Sequence, residues 1–253
     1  YWLKTYDWRA AERRLNQLPN FVTEVEGERI HFLHLKGDGS KPPVLLLHGW
    51  PGSYIEFEGV MGGLASDGHD VVVPSLPGFA FSNPITEVIG PRRAADLMHG
   101  LMTELFGPRR YVVQGGDWGA AVSRELGRVR PDQVIGVHLN LLPGAGATPE
   151  PTPEELAALT PAEPQRTRAS WERMRAWSRE QQGYADIQST RPHTLGYGLS
   201  DSPIGQLAWI TEKFKEWTDS ADRPEDAVDR DHLLTNVMLY WLTNTATSAA
   251  RVY

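Results

Sequence analysis

Three short apolar runs in the first half of the chain each end in a glycine-rich turn, and this repetition constrains the fold more than any other feature. Val44-Leu45-Leu46-Leu47 leads into His48-Gly49-Trp50-Pro51-Gly52-Ser53, and Val71-Val72-Val73-Pro74 leads into Pro77-Gly78-Phe79-Ala80-Phe81-Ser82. Tyr111-Val112-Val113-Gln114 leads into Gly115-Gly116-Asp117-Trp118-Gly119-Ala120. Apolar runs this short, with no polar alternation, are strands covered on both faces, as in a parallel sheet. Helical patterns at about 55–66, 91–106 and 119–130 separate them, and Val134–Leu139 repeats the strand form. Strand and helix alternating with short connections specify an α/β fold, a mostly parallel doubly wound sheet. In such a sheet the three turns share one edge, where ligands of α/β proteins bind.

Ahead of this core, residues 1–40 hold an amphipathic stretch (Trp8, Ala11, Leu15, Leu18) and two alternating runs, Phe21–Val25 and Ile30–Leu35, across a Glu26-Gly27 turn. They read as a helix and a hairpin. The core is assigned to 41–145. Behind it, Gly144 to Pro153 is a flexible, then proline-stiffened connector, and 146–253 shows several helical patterns and no strand. This second region is read as a helical cap inserted after the fourth strong strand. The chain opens Tyr1-Trp2 without an initiator Met and stops at Arg251-Val252-Tyr253, directly after an apolar helical run. Both ends are read as cuts.

Composition removes whole classes of function. A net charge of −7 argues against the clustered Lys and Arg that phosphate contacts need, so no nucleic-acid partner is expected. The chain has no Cys, which excludes disulfides, thiolate nucleophiles and Cys-ligated metal. His31 and His34, three apart on a strand, face opposite ways and make no zinc site. Neither metal nor cofactor is expected. The longest apolar stretch, around Val237 to Leu242, is far short of the ~20 residues that span a bilayer; no membrane segment is expected, and the location is read as cytoplasmic. Twenty of the 25 basic residues are Arg. With abundant Ala, this suggests a GC-rich bacterial genome and a role in detoxification or secondary metabolism.

Gly115-Gly116-Asp117-Trp118-Gly119 has the small-x-nucleophile-x-small spacing of a nucleophile elbow, in which a tight strand-to-helix turn lifts one side chain above the sheet. That residue is Asp117. A carboxylate with an ordinary pKa of about 3.9 is already ionised at neutral pH and attacks a strained or activated carbon without a base. The plainer alternative is a glycine turn in which Asp117 caps the following helix. A dinucleotide loop fails, because Asp117 occupies the place of the middle glycine in G-x-G-x-x-G.

His48-Gly49-Trp50-Pro51, Gly78-Phe79-Ala80-Phe81-Ser82 and Gly116-Asp117-Trp118-Gly119, in that order, resemble the epoxide hydrolases of the α/β-hydrolase superfamily. Tyr6-Asp7-Trp8-Arg9 and the segment from Phe21 to His34 resemble the N-terminal region of their microsomal-type branch. The resemblance covers nearly the whole chain. It implies an ether-bond hydrolase in which Asp117 opens an apolar epoxide and the resulting ester is hydrolysed to a vicinal diol. It implies Tyr184, in Gly183-Tyr184-Ala185-Asp186, and Tyr253, in Ala250-Arg251-Val252-Tyr253, as the proton donors. The backbone N–H groups of Trp50 and Trp118 become the oxyanion hole, with their indoles lining the substrate cavity and Pro51 holding the Trp50 peptide cis. The family also uses a His base and an acidic partner. None of the eight His residues matches that segment, so the base and the last core strands are expected beyond Tyr253.

Tyr197 and Tyr240 match no family motif and are assigned to packing. Trp171, Trp177, Trp209, Trp217 and Trp241 suggest a bulky substrate, or core. One rival is a haloalkane or haloacid dehalogenase, which shares the Asp nucleophile and the ester but binds halide through N–H donors and needs no acid; the two tyrosines favour the epoxide. The other rival is a non-catalytic binding scaffold, suggested by the missing base. A small hydrophobic epoxide is the expected partner. Its identity, the regiochemistry and homodimerisation are left open.

Overall fold

The computed structural model describes residues 1–84, 89–142, 151–158, 160 and 163–253. Six strands form one sheet: β1 (Asn20–Val25), β2 (Glu28–Leu35), β3 (Val44–Leu47), β4 (Val71–Pro74), β5 (Tyr111–Gly115) and β6 (Val134–Leu139). Their order across the sheet is β1-β2-β4-β3-β5-β6. The hairpin joins the same sheet as the core, since β2 runs antiparallel to β4. From β4 onward every pair is parallel. Leu45 lies beside Val72 on one neighbour and Val113 on the other, and Leu47 beside Gly115. The C-terminal ends of β3, β4 and β5 therefore open onto the same edge.

Period-two side-chain alternation divides the core between the sheet's two faces. Val44, Leu46, Val71 and Val73 pack with Leu15 of α1 (Trp8–Asn16) and Met61 of α2 (Glu58–Ser66). Leu45, Leu47, Val72 and Val113 pack on the opposite face with α3 (Pro91–Phe106) and α4 (Trp118–Val129). Leu45 and Leu47 are fully buried, and each such side chain contributes about 1.5–3 kcal/mol. The expected helix over 55–66 begins as a 3₁₀ turn, Tyr54–Phe57, whose Tyr54, Ile55 and Phe57 are all buried. That tight turn lets three large side chains enter the core next to the β3 loop.

The cap region contains α5 (Pro153–Ala157), α6 (Glu163–Glu180), α7 (Gly183–Thr190), α8 (Pro192–Asp201), α9 (Pro203–Glu216), α10 (Arg230–Thr243) and α11 (Ala246–Ala250). The connector from Gly144 onward, and the boundary placed at 145/146, fall mostly outside the described residues. Among the described residues no helix is long and apolar enough to cross a membrane. α10 reaches into the core: Asn236 Nδ2 donates to the Pro51 carbonyl (2.7 Å) and the Tyr240 hydroxyl to the Gly52 carbonyl (2.7 Å). Tyr240 is thus a buried packing residue, as expected. Tyr197 is 80% exposed, which corrects its assignment to packing; α8 buries Gly196 and Leu199 on its inner side and leaves Tyr197 on the outer one.

Candidate active site

Between β5 and α4 the backbone turns through Asp117 at φ 50°, ψ −124°. A non-glycine residue at positive φ costs on the order of 1–3 kcal/mol and persists only where neighbours enforce it. The enforcement is close packing of glycines. A Cβ on Gly119 would lie 2.6 Å from the Leu47 carbonyl carbon and 2.7 Å from the His48 oxygen, and one on Gly49 would lie 2.5 Å from the Asp117 Cβ. Only hydrogen fits at these two positions, so the start of α4 and the β3 loop close directly against the carboxylate.

Asp117 stands at the N-terminus of α4, yet its side chain makes no capping bond to that helix. It turns instead toward the β3 loop. Trp50 N–H donates to Asp117 Oδ1 at 2.8 Å, and the Trp118 N–H also bonds the carboxylate. Burial raises the Asp117 carboxyl to about 6, and the two amides restrain the rise by favouring the ionised form. The group is thus an anion at neutral pH, held by backbone dipoles and, among the described residues, by no cation. The Trp50-Pro51 peptide is cis.

Aromatic rings wall in this carboxylate. Trp50, 3% exposed, stacks on Tyr184 with centroids 5.4 Å apart and planes 9° from parallel. Tyr253 meets Trp50 at 5.9 Å and Trp118 at 5.3 Å, both edge-on. The Tyr253 hydroxyl donates to the Tyr184 hydroxyl at 3.4 Å. Burial raises both phenols above their ordinary 10.0; the Asp117 carboxylate adds to the rise in each, while the Tyr253 hydrogen bond and Lys213 pull Tyr184 back. Both phenols are therefore protonated across the physiological range. The five residues singled out in the sequence, Trp50, Asp117, Trp118, Tyr184 and Tyr253, come together at one place although they are spread from position 50 to position 253. Of the cap tryptophans, Trp217 joins them, 6.1 Å from Trp50 and 5.1 Å from Tyr184. Trp209 instead donates to Gln188 Oε1, and Trp171 lies under Arg175.

The histidines are engaged elsewhere. His48 is fully buried, its Nε2 accepting from Leu76 N–H and its Nδ1 facing the Gly49 carbonyl; burial lowers it to about 4. His31 sits between Ser75 Oγ and Asn20 Oδ1, also lowered to about 4 by burial. His34 faces Asp70, His69 the Pro42 carbonyl, His99 the Tyr111 hydroxyl and His232 Glu58, while His138 and His193 are exposed. None of them contacts Asp117. Among the described residues no three His, Cys, Asp or Glu side chains cluster as a metal site.

Two titratable groups at this site escaped the sequence reading. Glu56, on the 3₁₀ turn, lies over Gly52 and near Asp117; burial among crowded atoms, with the neighbouring carboxylate second, raises it to about 8. Lys213 of α9 lies over the Tyr184 ring. A Glu in a turn and a Lys in an amphipathic helix look like solvated residues in one dimension, and no spacing signal relates either to Asp117.

Residues 42–176 match the α/β hydrolase fold family, and residues 1–57 match the epoxide hydrolase N terminus. A Stigmatella aurantiaca protein provisionally named an epoxide hydrolase is 44% identical over 267 residues, covering 100% of this chain and 58% of that protein. Epoxide hydrolase 1 of Sus scrofa is 35% identical over 288 residues, covering 100% and 61%. The solved structure of Aspergillus niger epoxide hydrolase superposes with a TM-score of 0.84 at 39% identity, covering 100% of this chain and 64% of that one. The chain thus spans about three fifths of the length of these relatives. With the sheet order, the elbow and these matches together, the chain belongs to the α/β-hydrolase fold family.

Proposed function

We propose that this chain carries the ring-opening machinery of an epoxide hydrolase acting on a small hydrophobic epoxide. The observation that supports this reading most directly is the pair of phenols, hydroxyls 3.4 Å apart, beside a carboxylate held by two backbone amides. Asp117 attacks one epoxide carbon; the C–O bond to the ring oxygen breaks, and Tyr184 and Tyr253 hydrogen-bond that oxygen while one of them gives it a proton. An ester and an alcohol result. Hydrolysis of the ester passes through an oxyanion on the Asp117 carbonyl, for which the Trp50 and Trp118 N–H groups are the donors, each worth about 2.7–4 kcal/mol in comparable sites. The water in that step needs a general base, and the histidines of this chain stand away from Asp117. The three-ring wall of Trp50, Trp118 and Trp217 suits an apolar, aromatic-sized substrate. A cytoplasmic role in bacterial detoxification or secondary metabolism fits the Arg-rich, Cys-free composition.

A halide leaves as a stable anion and needs no acid, so the two phenols are idle in a dehalogenase. A binding scaffold has no use for an ionised carboxylate buried against aromatic rings. Incubation with an aryl epoxide, followed by intact-mass and peptide-mapping mass spectrometry, tests the reading. An adduct of epoxide mass on Asp117, absent in Asp117→Asn, is the expected result. A protein that binds the epoxide without any adduct is a scaffold. Adduct formation from an alkyl halide and not from epoxides identifies a dehalogenase.

A further inference from the structure

One cation beside the paired phenols belongs to Lys213, and its placement is unusual. The side chain is 2% exposed, among the rarest conditions for a lysine. Its ammonium lies 4.8 Å from the centroid of the Tyr184 ring and 5.7 Å from that of Trp217. Glu216 Oε2 and Glu212 Oε1 each accept from it at 2.7 Å. These bonds outweigh the burial penalty and leave the ammonium more firmly protonated than an ordinary lysine. Tyr184 in turn is stacked on Trp50, whose N–H holds Asp117. A single chain of contacts runs from the ammonium through the phenol ring to the nucleophile.

A cation over a neutral ring feels only the ring's quadrupole. When Tyr184 gives up its proton, the phenolate charge spreads into that ring and the attraction becomes fully Coulombic, in surroundings drier than bulk water. The interaction is thus stronger in the transition state than in the resting state, the condition for accelerating a chemical step. The two glutamates hold the charge in place and moderate its field.

We propose that Lys213 is a positioning residue for the acid step, its buried ammonium held over the Tyr184 ring by Glu212 and Glu216 so as to stabilise the phenolate formed as Tyr184 protonates the epoxide oxygen. This rests on the assignment of Tyr184 as a donor made above. In the step, the Asp117 oxygen–carbon bond forms, the epoxide C–O bond breaks, and the Tyr184 proton moves to the departing oxygen. The negative charge that began on Asp117 ends on Tyr184, beside Lys213.

The test is the rate of adduct formation on Asp117 at saturating aryl epoxide, in wild type, Lys213→Met, Lys213→Arg, Tyr184→Phe and the Lys213→Met/Tyr184→Phe double variant. Lys213→Met should slow the step roughly tenfold without changing the epoxide concentration that half-saturates it, and Lys213→Arg should recover most of the rate. In the Tyr184→Phe background Lys213→Met should change nothing. Equal slowing in both backgrounds, or a loss of saturation with the rate intact, overturns the role of Lys213. A Tyr184→Phe variant that reacts at the wild-type rate overturns the donor assignment itself. If Lys213→Met does not fold, Lys213→Gln in the wild-type and Tyr184→Phe backgrounds takes its place: slowing confined to the wild-type background is expected, and equal slowing in both, or none in either, overturns the proposal.

Discussion

Replacing Asp117 by Asn should abolish adduct formation and at the same time stabilise the protein, by an amount that depends on pH. Asn is isosteric, tolerates positive φ, and keeps an acceptor for the Trp50 N–H. Burial lifts the Asp117 carboxyl from an ordinary 3.8 to about 6, so the folded chain holds this proton more tightly than the unfolded chain does. Each pH unit between those values then costs the folded state about 1.4 kcal/mol. Below pH 3.8 both states carry the proton and the penalty is absent; it grows between pH 4 and 6 and is constant above 6, at about 2–3 kcal/mol once solvent reaching the partly exposed carboxyl is allowed for. Asn has no such titration. The Tm difference between Asp117→Asn and wild type should therefore be near zero at pH 4 and reach about 5–10 °C from pH 7 upward. Thermal unfolding followed by circular dichroism at pH 4, 5, 6, 7 and 8 measures it. A difference that is flat with pH, or an Asn variant less stable at pH 8, would refute the view that the site stores desolvation energy in this carboxylate.

Further outcomes follow from the same geometry. Adduct formation should rise with pH through about 6, as Asp117 ionises, and then stay level beyond pH 10 because both phenols are raised above their ordinary value; a rapid-quench pH profile checks this. Gly49→Ala should cut the rate of adduct formation by at least about 10²-fold with the fold retained, since its methyl displaces the Asp117 side chain and a misplacement of about 1 Å costs that much. Tyr184→Phe and Tyr253→Phe should each slow ring opening by up to about 10²–10⁴-fold, and the double variant should be slower than either; single-turnover mass spectrometry with one epoxide ranks the three.

The parts of this molecule legible in its sequence are those set by local chemistry. Apolar runs ending in glycine turns gave β3, β4 and β5, and the elbow spacing located Asp117, because backbone geometry there admits few residue types. The capping alternative for Asp117 was equally consistent with one dimension. It fails because Gly49 lets the β3 loop come close enough for Trp50 N–H to bond the carboxylate, which shares itself between that loop and the Trp118 N–H and makes no capping bond. The hairpin was visible, but its membership of the main sheet was not, since the antiparallel pairing of β2 with β4, from Leu35 beside Val71 to Phe32 beside Pro74, is a distant contact with no local signature. Glu56 and Lys213 lie in segments whose patterns read as ordinary surface, and their significance comes entirely from what converges on them. Tyr197 shows the converse: an aromatic residue suggests burial until the surroundings prove empty.

The hydrogen bonds from Asn236 and Tyr240 to the carbonyls of Pro51 and Gly52 assign α10 a mechanical role. Pulling this helix outward would drag the peptide beside Trp50 and shift the donor that holds Asp117. A guest that reached Asp117 by displacing α10 would therefore disturb the very group that awaits it.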